Sequence, residues 1–443
     1  MNMSGLSFNA LPPIDLPFRF FLTAPLFVIA CSLYVVFYGD SLWLSRWTPG
    51  MLTLTHAFTL GFITMVMMGA LLQLLPVIGG IGLKYPRFVA STCHLLHCIG
   101  TVCLLFAFNF PHKWWFSLAI LFLSISFFIY IYALIDVLIK KLSQGDSIVG
   151  FRLATTCLTV VIVLGLVLIS RNLDLASIGL GQVLSADKHF TNIHAVWGIA
   201  GWGSLLIIAV SFQVIPMFHV APNFPVLIRK YLSWLVTLLL IIYLYSPNWS
   251  MPLLFIAHAI FAICLLWVLS QRKRRIADTT IRYWQFAAIA LLLSNILYFF
   301  PEAWLVNDSH TDSIVQRILQ QKELILAAVI VYGYLVSVIQ GMLIKILPFL
   351  SYTHLQQRCL MDFSAMQFIP NMHDFFTKKQ ALILFVLHVV TSILLLVVII
   401  ENQHFRIFSI ALMLEFSWLF FLLSKTVLLY IQVNKKITLS SQS

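Results

Sequence analysis

The chain has 443 residues, of which 61% are hydrophobic and 9% charged, with a mean hydropathy of +0.98. No soluble core calls for that much apolar surface, so the composition excludes a soluble globular protein and predicts an all-α polytopic membrane protein. The formal net charge is +12, but the basic residues are dispersed among short connections, which marks them as topology determinants rather than a nucleic-acid surface.

Twelve apolar segments read as transmembrane helices. In chain order they cover roughly 18–39, 51–78, 88–110, 114–139, 147–170, 191–217, 229–246, 251–270, 280–301, 322–350, 380–400 and 405–431. The seventh is short. Met1–Pro17 is polar and proline-bearing, without the basic start of a cleavable signal. Six of the seven cysteines fall inside segments and Cys359 lies in a connection, so no disulfide framework is expected. With the N-terminus inside, eighteen basic residues fall on the inner side and seven on the outer. That asymmetry predicts that both termini are cytoplasmic.

A spacing recurs in the second, sixth and tenth segments. Gly61 is followed at fixed offsets by Gly69, Gln73 and Pro76; Gly201 by Ala209, Gln213 and Pro216; Gly333 by Gly341, Lys345 and Pro348. The copies stand 140 and 132 residues apart, dividing a single transmembrane domain into units of roughly 18–145, 146–275 and 276–431. Small residues eight apart lie within about 80° on a helix, so each pair lets a flat cofactor or a neighbouring helix come close. The three segments are expected to surround a common pseudo-threefold axis.

His56, in the outer part of the second segment, is the sharpest candidate for chemistry. A neutral imidazole suits an axial position on haem iron or a copper ion, and equally a hydrogen bond between packed helices. His194 enters the sixth segment at similar depth. Cys93, His94, His97 and Cys98 fall within an arc of about 140° on the third segment. Thiolate and imidazole together suit copper or zinc, although one helix supplies only two well-placed ligands. Met65, Met67 and Met68 read as packing. Asp136, His258, His388, Lys345 and Glu415 are ionisable groups within or at the ends of segments, where such groups mark function, but no spacing pairs them.

His56, Gly61, Gly69, Ala70, Leu71, Leu74 and Pro76 resemble the haem-ligand helix of the catalytic subunit of haem–copper oxidases, most closely the C-type branch. Leu16–Leu22 (LPFRFFL), followed by His56, is also similar to the nitric-oxide-response haem- and copper-binding membrane proteins. The resemblance implies a twelve-helix bundle with threefold pseudo-symmetry in a bacterial inner membrane, cytoplasmic termini and haem ligands toward the outer side. It implies haem at His56, with His194 matching the offset of a second ligand histidine and Arg406, beside His404, matching an arginine that pairs with haem propionates. The chain departs from the family in having no histidine between Gln321 and Tyr352 or between Tyr231 and Tyr245. The binuclear centre therefore lacks its usual ligands, and oxygen reduction is not expected. Three functions stand from the sequence: a haem protein for electron handling or gas binding, with an electron-donor or respiratory partner; a copper- or haem-handling transporter using the third-segment cluster; and a transporter or scaffold without cofactor.

Overall fold

The computed structural model describes residues 12–140, 145–173, 188–273, 278–300, 314–359 and 363–440. These residues form helices and connections, with no strand among them. Twelve helices are long and apolar enough to cross a bilayer. They are α1 (Asp15–Leu44), α2 (Pro49–Ile78), α3 (Pro86–Asn109), α4 (Lys113–Lys140), α5 (Asp146–Ser170) and α6 (Lys188–His219). The second half holds α7 (Val226–Tyr243), α8 (Pro247–Ser270), α9 (Thr279–Phe299), α10 (Lys322–Arg358), α11 (Lys378–Glu401) and α12 (Phe405–Ser440). The chain is thus an all-α polytopic membrane protein. The sequence places each helix within a few residues, except that α10 and α12 run on to Arg358 and Ser440 as amphipathic turns beyond the apolar core.

Local chemistry sets the helix ends. Thr48 caps α2 by accepting a hydrogen bond from the Met51 amide at 3.2 Å, with Pro49 in the first turn. Gly80 ends the same helix in the left-handed conformation, its amide donating to Pro76 O at 2.7 Å. Asp278 caps α9 on the Thr280 amide at 3.0 Å, and Thr377 with Gln380 forms a capping box on α11.

The repeat read from the sequence has a backbone counterpart that the sequence does not announce. In α2, α6 and α10 the helix widens to π geometry over Ala57–Thr64, Trp197–Ser204 and Val329–Val336. Each wide segment is eight residues long, and each carries its repeat glycine, Gly61, Gly201 or Gly333, at the fifth position. Such segments disturb the regular amide–carbonyl ladder and recur at functional sites.

The same three helices form the centre of the bundle. In their most apolar stretches 83%, 72% and 67% of residues are buried, against 22–56% in the other nine. Trp202 Nε1 donates to Thr64 Oγ1 at 3.2 Å, tying α6 to α2, and Ser204 shares a hydrogen bond of 3.0 Å with the Tyr334 hydroxyl, tying α6 to α10. Phe58 meets Tyr332 edge to face at 5.8 Å, tying α2 to α10. Val66, Leu206 and Val338, each five residues after its repeat glycine, line one central cavity, as do Ala70, Val210 and Met342 four residues further on. The three motif helices therefore meet one another at the centre of the bundle.

A neighbouring helix fills the small-residue positions. A Cβ on Gly61 would stand 2.5 Å from Phe27 Cγ, one on Gly69 2.7 Å from Phe20 Cβ, and one on Gly341 2.6 Å from Tyr283 Cβ. These obstacles lie at the roots of side chains, which cannot swing aside. Gly61→Ala is expected to destabilise the fold by about 1–3 kcal/mol through overpacking. Gly333→Ala, where the nearest atom is Ala290 Cβ at 3.1 Å, should cost less. Thermal unfolding in detergent ranks the two, and equal losses would contradict this account of the glycines.

Candidate functional site

The structure brings His56 and His194 together. Their ring centres are 6.3 Å apart and their planes differ by 17°. His56 is the last residue of α2 before the π segment. Its Nδ1 lies 2.8 Å from Leu52 O one turn earlier. His194 precedes the α6 π segment by three residues, and its Nδ1 lies 3.1 Å from Val161 O on α5. A carbonyl oxygen only accepts, so in both rings Nδ1 carries the proton and Nε2 keeps a lone pair. Neither Nε2 has a hydrogen-bond partner among the described residues, and both side chains are half-buried rather than sealed.

The surroundings hold the rings in place. Phe108 of α3 packs 5.0 Å from the His56 ring. Gly165 of α5 makes room for the other, since a Cβ there would stand 3.1 Å from His194 Cε1. Next to Phe108, Asn109 accepts from the Tyr34 and Tyr38 hydroxyls at 2.6 and 2.7 Å and donates to Thr53 Oγ1 at 2.8 Å. This polar knot pins α1 and α3 to the N-terminal part of α2.

The donor set fits a metal gripped from two sides. With metal–nitrogen bonds of about 2.0–2.1 Å, two imidazoles ligating one ion from opposite directions have ring centres about 6 Å apart. A second hydrogen bond from each ring to a backbone carbonyl is the usual way a ligating histidine is oriented and its basicity raised.

The other candidates lie elsewhere. Arg406 is exposed in the first turn of α12, its guanidinium 5.7 Å over the Phe405 ring, and no described contact joins it to the histidine pair. Two cations the sequence did not single out, Arg46 and Lys188, lie over the Trp47 ring at 4.4 and 5.7 Å, and Arg46 also pairs with Glu323 at 2.9 Å. Lys188 opens the helix that carries His194.

The four α3 residues do not share a point. His94 Nε2 meets Thr23 Oγ1 of α1 at 2.9 Å and lies 3.7 Å from Cys98 Sγ. Cys93 instead donates to Ser126 O of α4, and His97 Nε2 donates to Leu60 O of α2 at 3.1 Å. Among the described residues no group of three or more His, Cys, Asp or Glu side chains is placed to hold a metal ion.

His97 belongs to a different pattern. Each π segment is met by a buried imidazole from an outer helix. His97 reaches Leu60 O in the first, and His258 of α8 reaches Ser204 Oγ at 2.8 Å in the second. His388 of α11 reaches Ser337 Oγ at 2.6 Å, and Ser337 in turn donates to Gly333 O at 2.7 Å in the third. His388 and Glu415, which no sequence signal pairs, are joined through Nδ1 and Oε1 at 2.8 Å with both side chains fully buried. Glu415 also accepts from Gln340 Nε2 at 2.6 Å and from the Tyr332 hydroxyl, and Tyr283 donates to Gln340 Oε1 at 3.0 Å.

Toward the other end of the central helices, Lys345 replaces the repeat glutamine, and its Nζ lies 2.7 Å from Asp278 Oδ2. His219 Nδ1 stands 3.8 Å from the same oxygen. Burial by itself pushes the Asp278 carboxyl up, but Lys345, His219 and the Thr280 amide together hold it below its ordinary value. A depressed folded value means that the carboxylate contributes stability above the unfolded value of about 3.9 and loses it as pH falls through the folded one. Lys345→Met removes the main opposing charge. It is expected to lower stability near neutral pH and to flatten the acid limb of a pH–stability curve measured by thermal unfolding.

No family model and no curated protein matches the chain.

Proposed function

We propose that this chain is a haem-binding integral membrane protein built like the catalytic subunit of the haem–copper oxidases, with His56 and His194 as the residues that would hold one haem and electron handling as its role. The observation that carries this reading is the histidine pair: two imidazoles from two repeat helices, each held at Nδ1 by a backbone carbonyl, with free Nε2 atoms and ring centres 6.3 Å apart. The motif of Gly61, Gly69, Ala70, Leu71, Leu74 and Pro76 behind His56 supports it by resemblance. When bound, a haem supplies one-electron chemistry between the ferric and ferrous states.

The residues argue for electron transfer over gas binding. Both histidines would be committed to holding the haem, which would leave neither available side open to a diatomic ligand. The chain lacks the histidines of a binuclear centre, so oxygen reduction is not part of the proposal. Lys188, at the start of the helix that carries His194, would supply positive charge for a haem carboxylate, whereas Arg46 is already paired with Glu323 at 2.9 Å. A respiratory or other redox protein is the implied partner. The proposed setting is a bacterial inner membrane with both termini cytoplasmic, which puts the pair in the outer third.

A second reading uses the same atoms. Copper(I) accepts two imidazoles alone, and the pair has no third ligand among the described residues.

Protein expressed with ample haem and purified in detergent is expected to show a Soret band, with a six-coordinate low-spin spectrum in both oxidation states. Stoichiometric copper without a Soret band would select the second reading, and neither would leave the pair as packing residues. Orientation has its own check: a reporter fused after Ser443 and active only in the cytoplasm is the expected result, and activity only outside would reverse the topology.

A further inference from the structure

A polar pocket lies where α6 ends and α9 and α11 begin, against the side of α10. It is partly open and measures 160 Å³, room for about five waters at their volume in the liquid. Two membrane-spanning helices start at its rim, α9 at Thr279 and α11 at Lys378. The pocket therefore stands at the level where lipid headgroups meet the chain.

Its charges decide what class of ligand fits. Asp278, Lys345 and Lys378 are the lining residues that carry charge, which leaves one positive charge in excess. His219 and His373 also line the pocket, and protonation of either only adds to that excess. Lys345 spends one of its three donors on Asp278, at 2.7 Å. Lys378 has no partner among the described residues. Thr280 is 2% exposed, and its hydroxyl, like that of Thr279, has no hydrogen-bond partner among the described residues. A buried hydroxyl left unpaired is unfavourable and calls for a partner from outside. The first turns of α9 and α11 add the positive ends of two helix dipoles. The rest of the wall is apolar, with Phe218, Ile344, Met372 and Phe376.

We infer that this pocket seats the phosphodiester of an anionic phospholipid, with Lys378 and Lys345 as its cations, Thr280 as a hydroxyl donor and the acyl chains leaving along the apolar wall. A phosphodiester carries one negative charge, which balances the lining, and its oxygens accept from every free donor. Basic pockets between membrane-spanning helices take lipid headgroups in this way. Free phosphate shares the charged oxygens but would leave Phe218, Ile344, Met372 and Phe376 facing water.

Native mass spectrometry of the full chain in detergent tests the inference, with phosphatidylglycerol and phosphatidylcholine of the same acyl chains as probes. Both carry the phosphodiester, but choline adds back a positive charge. Phosphatidylglycerol is expected to bind saturably and about fivefold tighter. Lys378→Gln should weaken it about fivefold, the effect of one lysine at an anionic lipid surface. Lys379→Gln removes the same charge one residue on, outside the pocket, and should leave binding unchanged. Both lysines are exposed, so neither change threatens the fold. Thr280→Val, which trades the unpaired hydroxyl for a methyl, should weaken both lipids. Inorganic phosphate in excess should leave the lipid bound, and its displacing the lipid would make this a free-phosphate site instead. That displacement, equal binding of the two lipids, equal losses in the two lysine variants, or unchanged binding by Thr280→Val each overturns the assignment.

Discussion

Replacing either His56 or His194 with alanine is expected to weaken haem retention by more than about tenfold, beyond what loss of an outer-shell partner of a metal ligand alone produces. Whatever haem remains should change from a six-coordinate to a five-coordinate spectrum and become able to bind carbon monoxide. The two variants should behave alike, because the pair is symmetric in chemistry: one imidazole from α2, one from α6, each with Nδ1 committed to a carbonyl and Nε2 free. His94→Ala provides the control. His94 faces Thr23 and Phe20 on α1, so its loss should leave the Soret band intact. A spectrum that tracks His94 instead of His194 would move the proposed site onto α3.

The largest stability effect is expected at Glu415. Its carboxyl is fully buried within the membrane-spanning core and accepts from Tyr332, Gln340 and His388. Glu415→Leu leaves three donors in a low-dielectric interior without an acceptor, and breaking one side of such a buried network costs about 3–5 kcal/mol. His388→Leu should cost less, because Glu415 keeps Tyr332 and Gln340 as donors and Ser337 keeps Gly333 O. Because the two residues share one network, Glu415→Leu with His388→Leu should lose less than the two singles added together. Thermal unfolding in a fixed detergent measures all three. Strict additivity would show that the groups are only neighbours. The network also explains why α10 can widen at Val329–Val336: Ser337 and His388 take up the hydrogen bonding that a regular turn would supply.

What the sequence by itself determined is whatever depends on composition along one helix. The twelve spans follow from apolar run length, and their ends from caps such as Thr48, Gly80 and Asp278. The special status of α2, α6 and α10 was marked by glycines at a fixed offset, which let the first helix of each unit, α1, α5 or α9, pack close against them. His56 stood out because an imidazole suits haem iron or copper and because the glycines and proline that follow it resemble a haem-ligand helix.

The partner itself was decided only in three dimensions. His194 matched an offset, but that its ring stands 6.3 Å from that of His56 depends on how α6 is rotated against α5, where Gly165 leaves room for the ring. The same rotation divides the α3 cluster. Cys93, His94, His97 and Cys98 occupy one arc of α3, yet that arc is wide enough to face α1, α2 and α4 at once, so each side chain meets a different neighbour. His388 and Glu415 are 27 residues apart on antiparallel helices, and no local pattern records which depths coincide. The π segments are the clearest case. A widened turn has no residue signature of its own and persists here because a serine or carbonyl within or just past it finds an imidazole on the next helix, a condition set by packing alone.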